Sequence, residues 1–492
     1  MAELIVIRGG ARLTLTFESG ARLADVLKAN GLSVLSPCGG RGVCGKCAAA
    51  LAGQVSPPNA SEQRAGARLC CQAVLLGDAE VILPQDRTME GIELTAGAAL
   101  IPCSPMDGPY GAAVDIGTTT IAVSLYDLKS GACLSQCGML NPQTAVAADV
   151  MGRIGAAMAG ERERLKAQVT EAISALLSRA AFQAGVEETL VRSLVITGNT
   201  TMLYLLTGRD PVSLSRAPFE ADCLFDENLT VCGRQAYLPP CMHAFVGADI
   251  TCAVLASGQC KERGVALLCD VGTNGDLALW KGGRLLTTST AAGPAFEGAG
   301  ISCGCGSVRG AVDKVFIRDG SVDVHTVGGG PAVGVCGSGL IDAVAAALAL
   351  GAVDETGVME EDAFILAPGV RLLQKDIRAV QLAKAAVAAG IDTLLEAAAI
   401  CAEDVDAFFI AGGFGSRMNV ENAAKIGLFP KALTSRAQAL GNAALSGAAR
   451  LLLNVNEREH AREIARLSRH VNLGGNPAFN QHYMDRMMFP EE

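Results

Sequence analysis

The sequence predicts an α/β protein in two parts: a small β-rich N-terminal module and a larger body in which strands alternate with helices. Three observations carry this reading. Cysteines gather in a Gly-rich loop, Cys38-Gly-Gly-Arg-Gly-Val-Cys44-Gly-Lys-Cys47, with Cys70-Cys71 further along. An apolar run, an Asp-x-Gly-Thr turn and a second apolar run occur in that order twice, at Asp115 and at Asp270. Helical periods, such as Leu165, Val169, Ile173 and Leu176 on one face, separate strand-like runs.

Composition sets the limits. The 492 residues leave room for about two to four domains, and 50% hydrophobic with 18% charged residues is a globular profile. A net charge of −10 repels phosphate backbones, and 4% aromatics gives little base-stacking surface, so nucleic acid is not expected as a partner. Met1-Ala2-Glu3-Leu4 lacks the basic start and apolar run of a signal peptide. The most apolar stretch, Gly339 to Val353, is short and interrupted by Asp342, so no membrane span and a cytoplasmic location are expected. Eighteen Cys in such a chain call for metal ligation or burial rather than disulfides. The scattered Cys223, Cys232, Cys252 and Cys260 read as small buried hydrophobes.

In the N-terminal module, residues 3–8 and 12–17 read as two strands around a Gly9-Gly10 turn. Residues 22–30 read as a short helix with Leu23, Val26 and Leu27 on one face and Gly31 as its stop. The loop that follows has C-x5-C-x2-C spacing. Its Gly residues allow backbone to wrap closely around inorganic sulfide and turn amides toward it. A fourth thiolate is expected from Arg68-Leu69-Cys70-Cys71-Gln72. Read as a strand, that segment points only one of the two inward, and Cys71 is the choice. The plain alternative is a structural zinc on the same thiolates, but a second C-x2-C pair is missing. Residues 1–85 therefore resemble a [2Fe–2S] ferredoxin domain with the β-grasp fold, its cluster on Cys38, Cys44, Cys47 and Cys71. The first gap holds five residues where the plant-type loop has four.

Residues 86–110, rich in Gly and Pro and without a sustained period, read as a linker. Then come the repeated hairpins. Gly-containing turns let backbone N–H groups face phosphate oxygens, Thr hydroxyls add donors, and Asp at a strand end can hold Mg²⁺ through waters. One such turn alone would be an ordinary hairpin; two in the same strand context would clamp a triphosphate from both sides. A third element, Phe408-Phe-Ile-Ala-Gly412-Gly413-Phe414, is a strand ending in a Gly-Gly turn. It follows a helical stretch near 392–402 and precedes a helix from about Asn419, and either accepts a flat adenosine or is a plain strand-to-helix turn.

This order, with Thr197-Gly198-Asn199 between the hairpins, resembles the superfamily of actin, sugar kinases and DnaK-type chaperones. The resemblance implies a duplicated actin-like (RNase H-like) ATPase domain, with subdomains at 111–260 and 261–492 closing over ATP and Mg²⁺. It implies Asp115, Gly117, Thr118 and Thr119 as one phosphate loop, Asp270, Gly272, Thr273 and Asn274 as the other, Gly198 and Asn199 beside them, and Gly412, Gly413 and Phe414 at the adenosine. Asp115, Asp270 and Glu297 are the catalytic candidates. Glu297 would touch Mg²⁺ or orient water, the plain alternative being a solvated loop carboxylate.

A ferredoxin domain fused to an actin-like ATPase closely resembles the reductive activators of corrinoid enzymes, as do Gly334-Val-Cys-Gly-Ser-Gly-Leu-Ile-Asp342 and the tail Gly475-Asn-Pro-Ala-Phe-Asn. That resemblance implies an electron passing from the cluster to an inactive cob(II)alamin protein, driven by ATP, with a low-potential electron donor and a homodimeric assembly. Asp115 follows Cys71 by only 44 positions, so the long middle region of some members reads as missing. The last Cys is Cys401, so a C-terminal Cys-rich module reads as missing too. Competing readings are an activator of a radical dehydratase or reductase, which usually lacks an attached ferredoxin domain, and a nucleotide-gated electron shuttle. A sugar kinase leaves the cluster unexplained. Cys303, Cys305 and Cys336 read as idle or buried thiols rather than a second cluster, Lys384 as a surface or nucleotide-contacting residue, Trp280 as a strand-core cap, and the five His as dispersed.

Overall fold

The computed structural model describes residues 2–8, 11–30, 32, 34, 42, 47–83, 104–413 and 417–491. Cys38, Cys44, Phe414 and residues 86–103 of the expected linker lie outside the described residues.

The N-terminal module is a four-stranded mixed sheet. Strands β1 (Ala2–Arg8) and β2 (Ala11–Phe17) pair antiparallel, as the alternating pattern predicts. Helix α1 (Leu23–Ala29) buries Leu23 and Leu27 against Leu4, Val6 and Phe17. Strand β3 (Ala50–Val55), helix α2 (Ala60–Ala65) and strand β4 (Leu75–Ile82) complete it, in the order β2-β1-β4-β3 with β1 and β4 parallel. Helix α2 starts with a capping box in which Asn59 receives the Glu62 amide and Glu62 returns to the Asn59 amide. The residues after α2 depart from expectation. Leu69 makes a single bridge to Ala48, and Cys70 to Gln72 form a turn closed by the Gln72 amide on the Leu69 carbonyl, not a strand.

The body holds two six-stranded sheets of the same design. In the first, β5 (Tyr110–Ile116), β6 (Thr120–Asp127) and β7 (Cys133–Leu140) form an antiparallel meander. Helices α3 (Val150–Ala156) and α4 (Arg162–Ala184) lead back to β8 (Val191–Gly198), which joins β5 in parallel. Leu165, Val169, Ile173 and Leu176 of α4 are buried, as their spacing predicts. Helices α5 (Thr200–Thr207) and α6 (Val212–Ser215) and the pair β9 (Glu227–Val231) and β10 (Arg234–Leu238) follow, giving the order β7-β6-β5-β8-β10-β9. Helix α7 (Ala248–Ser257) closes this half.

The second sheet repeats the plan. Strands β11 (Ala266–Val271), β12 (Gly275–Lys281) and β13 (Arg284–Thr290) form the meander, Trp280 being buried on β12. An excursion through β14 (Ala311–Arg318), β15 (Ser321–Thr326), β16 (Gly334–Val335), helix α8 (Gly337–Ala349), β17 (Phe364–Ala367) and β18 (Val370–Leu372) leads to the long helix α9 (Gln374–Ala397). Strand β19 (Ala407–Ala411) then joins β11 in parallel, as β8 joins β5. Helix α10 (Val420–Lys425), capped by Asn419, precedes β20 (Ala437–Gly441), and helices α11 (Ala443–Leu453) and α12 (Glu457–Leu467), strand β21 (Ser468–His470) and helix α13 (Pro477–Asp485) end the chain. The order is β20-β19-β11-β12-β13-β21. The helical stretch expected near 392–402 is the end of α9, which stops at Ala397.

Helices α7 and α11 share one apolar cluster with both sheets, from Ala113 and Val195 to Leu268 and Ala278. A Cβ on Gly447 of α11 would lie 2.0 Å from the Cys252 carbonyl oxygen of α7, so only glycine permits this approach. Residues 104–106 are pinned to the end of α11 by the Met106 amide on Leu452 and the Val455 amide on Ser104, so this part of the expected linker belongs to the body. Among the described residues no helix is long and apolar enough to cross a membrane.

Candidate functional site

The first centre is the turn after α2. Buried Glu62 accepts hydrogen bonds from the Leu69 amide (2.9 Å) and the Arg68 guanidinium (2.9 Å). Burial opposes its ionisation, but those donors and the Asn59 amide hold it below the usual carboxylate range. The carboxylate thereby fixes where the Cys70-Cys71 turn begins. The Sγ atoms of Cys47 and Cys71, 24 residues apart in sequence, lie 3.3 Å from each other in the apolar core of the module. Burial and the neighbouring Cys71 sulfur push the Cys47 thiol up. Cys70, also buried, is pushed up to about 12 by burial first and then by Cys71. Two buried thiols this close suit a shared metal centre, whose positive charge would allow both to be thiolates.

The second centre lies where the two sheets face each other. Asp115 ends β5 and Asp270 ends β11, each followed by its Gly-Thr turn. The turns meet: Thr119 Oγ1 is 3.2 Å from Thr273 Oγ1, and both hydroxyls donate to the same Glu297 oxygen, Thr273 at 2.9 Å. Glu297 is therefore a bridge between the two loops, not a solvated loop carboxylate. Asn199 caps α5 and donates to Thr118 Oγ1 (3.2 Å). Gly198 touches the first loop closely, since a Cβ there would lie 2.8 Å from the Ile116 carbonyl oxygen. The Gly272 amide bonds the Asn274 carbonyl (2.9 Å) and closes the second turn. Gly412, with φ +106°, lies against the end of β11: a Cβ there would be 2.6 Å from the Val271 oxygen and 3.0 Å from an Asp270 oxygen. Gly413 follows it at the surface, at the carboxyl ends of the parallel strands β11, β19 and β20, where open α/β sheets bind ligands.

The sheet ends also concentrate charge. Burial raises Asp115 to about 6, opposed by the Asn442 amide, which donates to it at 2.8 Å. Burial, then Asp276, Asp115 and Glu297, raises Asp270 to about 8. Burial raises Asp276 to about 7, and Asp249, at the start of α7, is raised by burial and by Asp276, Asp115 and Asp270. Glu297 is raised by burial against its Thr119 and Thr273 donors. Carboxylates that raise one another concentrate negative charge that a cation held through waters would offset without direct ligation, and the adjoining loops offer hydroxyl and amide donors.

Sequence reasoning missed Asp249, Asp276, Asn442 and the buried Asn141 and Arg153 behind the first loop. One signal was available: strand-Gly-Asn-helix occurs at Gly198-Asn199 and again at Gly441-Asn442, and both Asn side chains reach the first Asp-x-Gly-Thr segment, at Thr118 and Asp115. Lys384 is neither at the surface nor bonded to the Gly-Thr loops. It is buried on α9, donates to the carbonyls of Arg486 and Met488, and is pulled down to about 7 by burial and then Arg486. Cys252 is buried as expected, but Cys223, Cys232 and Cys260 are only half-buried. No group of three His, Cys, Asp or Glu suited to a metal ion occurs among the described residues, Cys303, Cys305 and Cys336 included. His243 and His470 come together, their rings stacked at 3.8 Å without a hydrogen bond between them.

The duplicated sheets, the facing Gly-Thr loops and the small sheet module define a nucleotide-binding, actin-like protein joined to a ferredoxin-like domain. Residues 264–492 match the family described as the C-terminal domain of RACo, the ASKHA domain, and residues 110–262 match the RACo middle region. The chain is 33% identical over 430 residues to the corrinoid activation enzyme RamQ of Eubacterium limosum, covering 79% of this chain and 72% of that one. It is 26% identical over 423 residues to a [Co(II) methylated amine-specific corrinoid protein] reductase of Methanosarcina barkeri, covering 77% of each. A solved structure titled a reductive activator for corrinoid, iron-sulfur protein superposes with a TM-score of 0.75 at 26% identity, covering all of this chain and 98% of the other. The chain belongs to the family of reductive activators of corrinoid proteins. The middle region that the sequence reading took to be missing is present: it is the first lobe itself, not an insertion before it.

Proposed function

We propose that this chain is an ATP-dependent reductive activator that restores a cob(II)alamin-containing corrinoid protein to its cob(I)alamin state. A [2Fe–2S] cluster on Cys38, Cys44, Cys47 and Cys71 would supply the single electron that Co(II) takes up, after reduction by a low-potential donor. A homodimer belongs to the same reading.

The observation that carries the nucleotide half is the meeting of Thr119, Thr273 and Glu297, which brings the two phosphate loops within hydrogen-bond reach of one carboxylate. Asp115 and Asp270 supply negative charge for Mg²⁺ from opposite sheets. Gly117, Thr118, Thr119, Gly272, Thr273 and Asn274 cradle phosphates, Gly198 and Asn199 buttress the first loop, and Gly412, Gly413 and Phe414 face the adenosine. ATP can drive an uphill transfer only by binding two conformations differently, and loops on opposite lobes are suited to report closure. The observation behind the redox half is the 3.3 Å approach of the Cys47 and Cys71 sulfurs.

The test is ATP hydrolysis measured with and without a Co(II) corrinoid protein. Asp115→Asn and Asp270→Asn should each lower kcat by about 10²-fold or more, the scale for losing electrostatic stabilisation of a transferring phosphoryl group. Wild-type rates in both variants would refute the assignment of the cleft.

A further inference from the structure

The first phosphate loop is held from behind by residues that no metal or nucleotide motif includes. Three successive carbonyls of the turn are each bound. Gly117 O accepts from Asn141 Nδ2 (2.9 Å), Thr118 O from Arg153 Nη2 (2.5 Å) and Thr119 O from the Asn141 backbone amide (2.8 Å). Asn141 and Arg153 are both fully buried. Asn141 is itself fixed, accepting the Gln143 amide as it caps a turn of 3₁₀ helix. The Arg153 fork is fixed by the Ala147 carbonyl (3.1 Å), Gln143 Oε1 (3.2 Å) and Met202 Sδ (3.1 Å).

Peptide planarity turns this into a directional device. In a trans peptide the C=O of one residue and the N–H of the next point in opposite directions. The one cis bond among the described residues is Ala217–Pro218, so the loop peptides are trans. Drawing the Gly117 and Thr118 carbonyls backward therefore aims the Thr118 and Thr119 amides forward. The forward side is the cleft, because Thr118 and Thr119 hydroxyls meet Asn199, Thr273 and Glu297 there. Successive amides aimed into one concavity form an anion nest. The clamp also places a buried cation behind that nest: burial lowers Arg153 to about 10, opposed by Asp149 and Glu297, which leaves it charged at neutral pH. Among the described residues no carboxylate hydrogen-bonds to Arg153, and Asp149 and Glu297 act on its charge only through space.

We propose that Arg153 and Asn141 are positioning residues that turn the Thr118 and Thr119 amides toward the phosphates of a bound nucleoside triphosphate. The assignment rests on the nucleotide reading above. It predicts a loss confined to the phosphate end of the ligand.

The experiment displaces a fluorescent ATP analogue from the full-length protein with ATP and, separately, with adenosine. Arg153→Lys keeps charge but not the fork, and Asn141→Ser keeps a capping oxygen but not the donor to Gly117. Each should weaken ATP on the order of tenfold, the value of a hydrogen bond to a charged group, and leave adenosine unchanged. Arg153→Met, which removes charge as well, should weaken ATP further than Arg153→Lys. Unchanged ATP affinity in Arg153→Lys and Asn141→Ser, or an equal loss for ATP and adenosine, would overturn the assignment and leave the nucleotide reading standing. A wild-type protein indifferent to ATP would overturn both. If Arg153→Lys fails to fold, Asn141→Ser alone decides, since its ATP-to-adenosine ratio either changes or does not.

Discussion

Cys70 and Cys71 are neighbours of the same chemistry, both buried, and only their places in the turn separate them. The Cys71 sulfur meets Cys47, and Gln72 Nε2 approaches it at 3.6 Å. Cys70 keeps its backbone in the module instead: its amide bonds the Cys47 carbonyl and its carbonyl accepts from Ala24. Cys71→Ser should therefore abolish the visible absorbance of the cluster and most of the bound iron, whereas Cys70→Ser should retain both. Equal iron in the two variants would move the fourth ligand elsewhere. Cys71 is reached in the sequence by alternation along a strand, and the structure replaces that reason with a turn. The alternation rule fails because Leu69 makes only one bridge before the chain reverses, which depends on Glu62 holding its amide.

At the scale of elements, the ends of β5, β11, β12 and α7 deliver Asp115, Asp270, Asp276 and Asp249 to one place. The native state holds protons on these groups that the unfolded chain has already released. Asp270 moves from 3.8 to about 8, so between those values the native state binds more protons and stability falls as pH rises. The Tm of nucleotide-free and metal-free protein should fall between about pH 5 and about pH 8, and fall less steeply in Asp270→Asn. Equal slopes in the two proteins would show that the carboxylates are not crowded. Strand-Gly-Thr-strand is a local pattern, so both hairpins, and with them Asp115 and Asp270, are legible in sequence. Asp249 is not, because it sits at an ordinary helix start and gains its role only when the other sheet arrives, and Asn442 shows only as a repeat of the Gly-Asn helix start at Asn199. Lys384 is misread for a similar reason: the carbonyls that satisfy its ammonium belong to a tail about one hundred residues further on.

At the scale of the molecule, two sheets of one design share a core through α7 and α11, and the two Gly-Thr loops, one from each sheet, meet at Thr119 and Thr273. The duplication is visible in sequence only at its hairpins. The parallel additions of β8 to β5 and of β19 to β11 need the fold, since helices and an excursion of different lengths intervene. Such an arrangement lets a ligand held by both lobes favour one conformation, which is what coupling ATP to an unfavourable electron transfer requires. The most direct measurement mixes the reduced protein anaerobically with a Co(II) corrinoid protein and follows cobalt absorbance with and without Mg-ATP. Co(I) forming only when Mg-ATP is present is the predicted result. Co(I) forming equally well without ATP, or none forming while an intact cluster and steady ATP hydrolysis are both measured, would contradict the account.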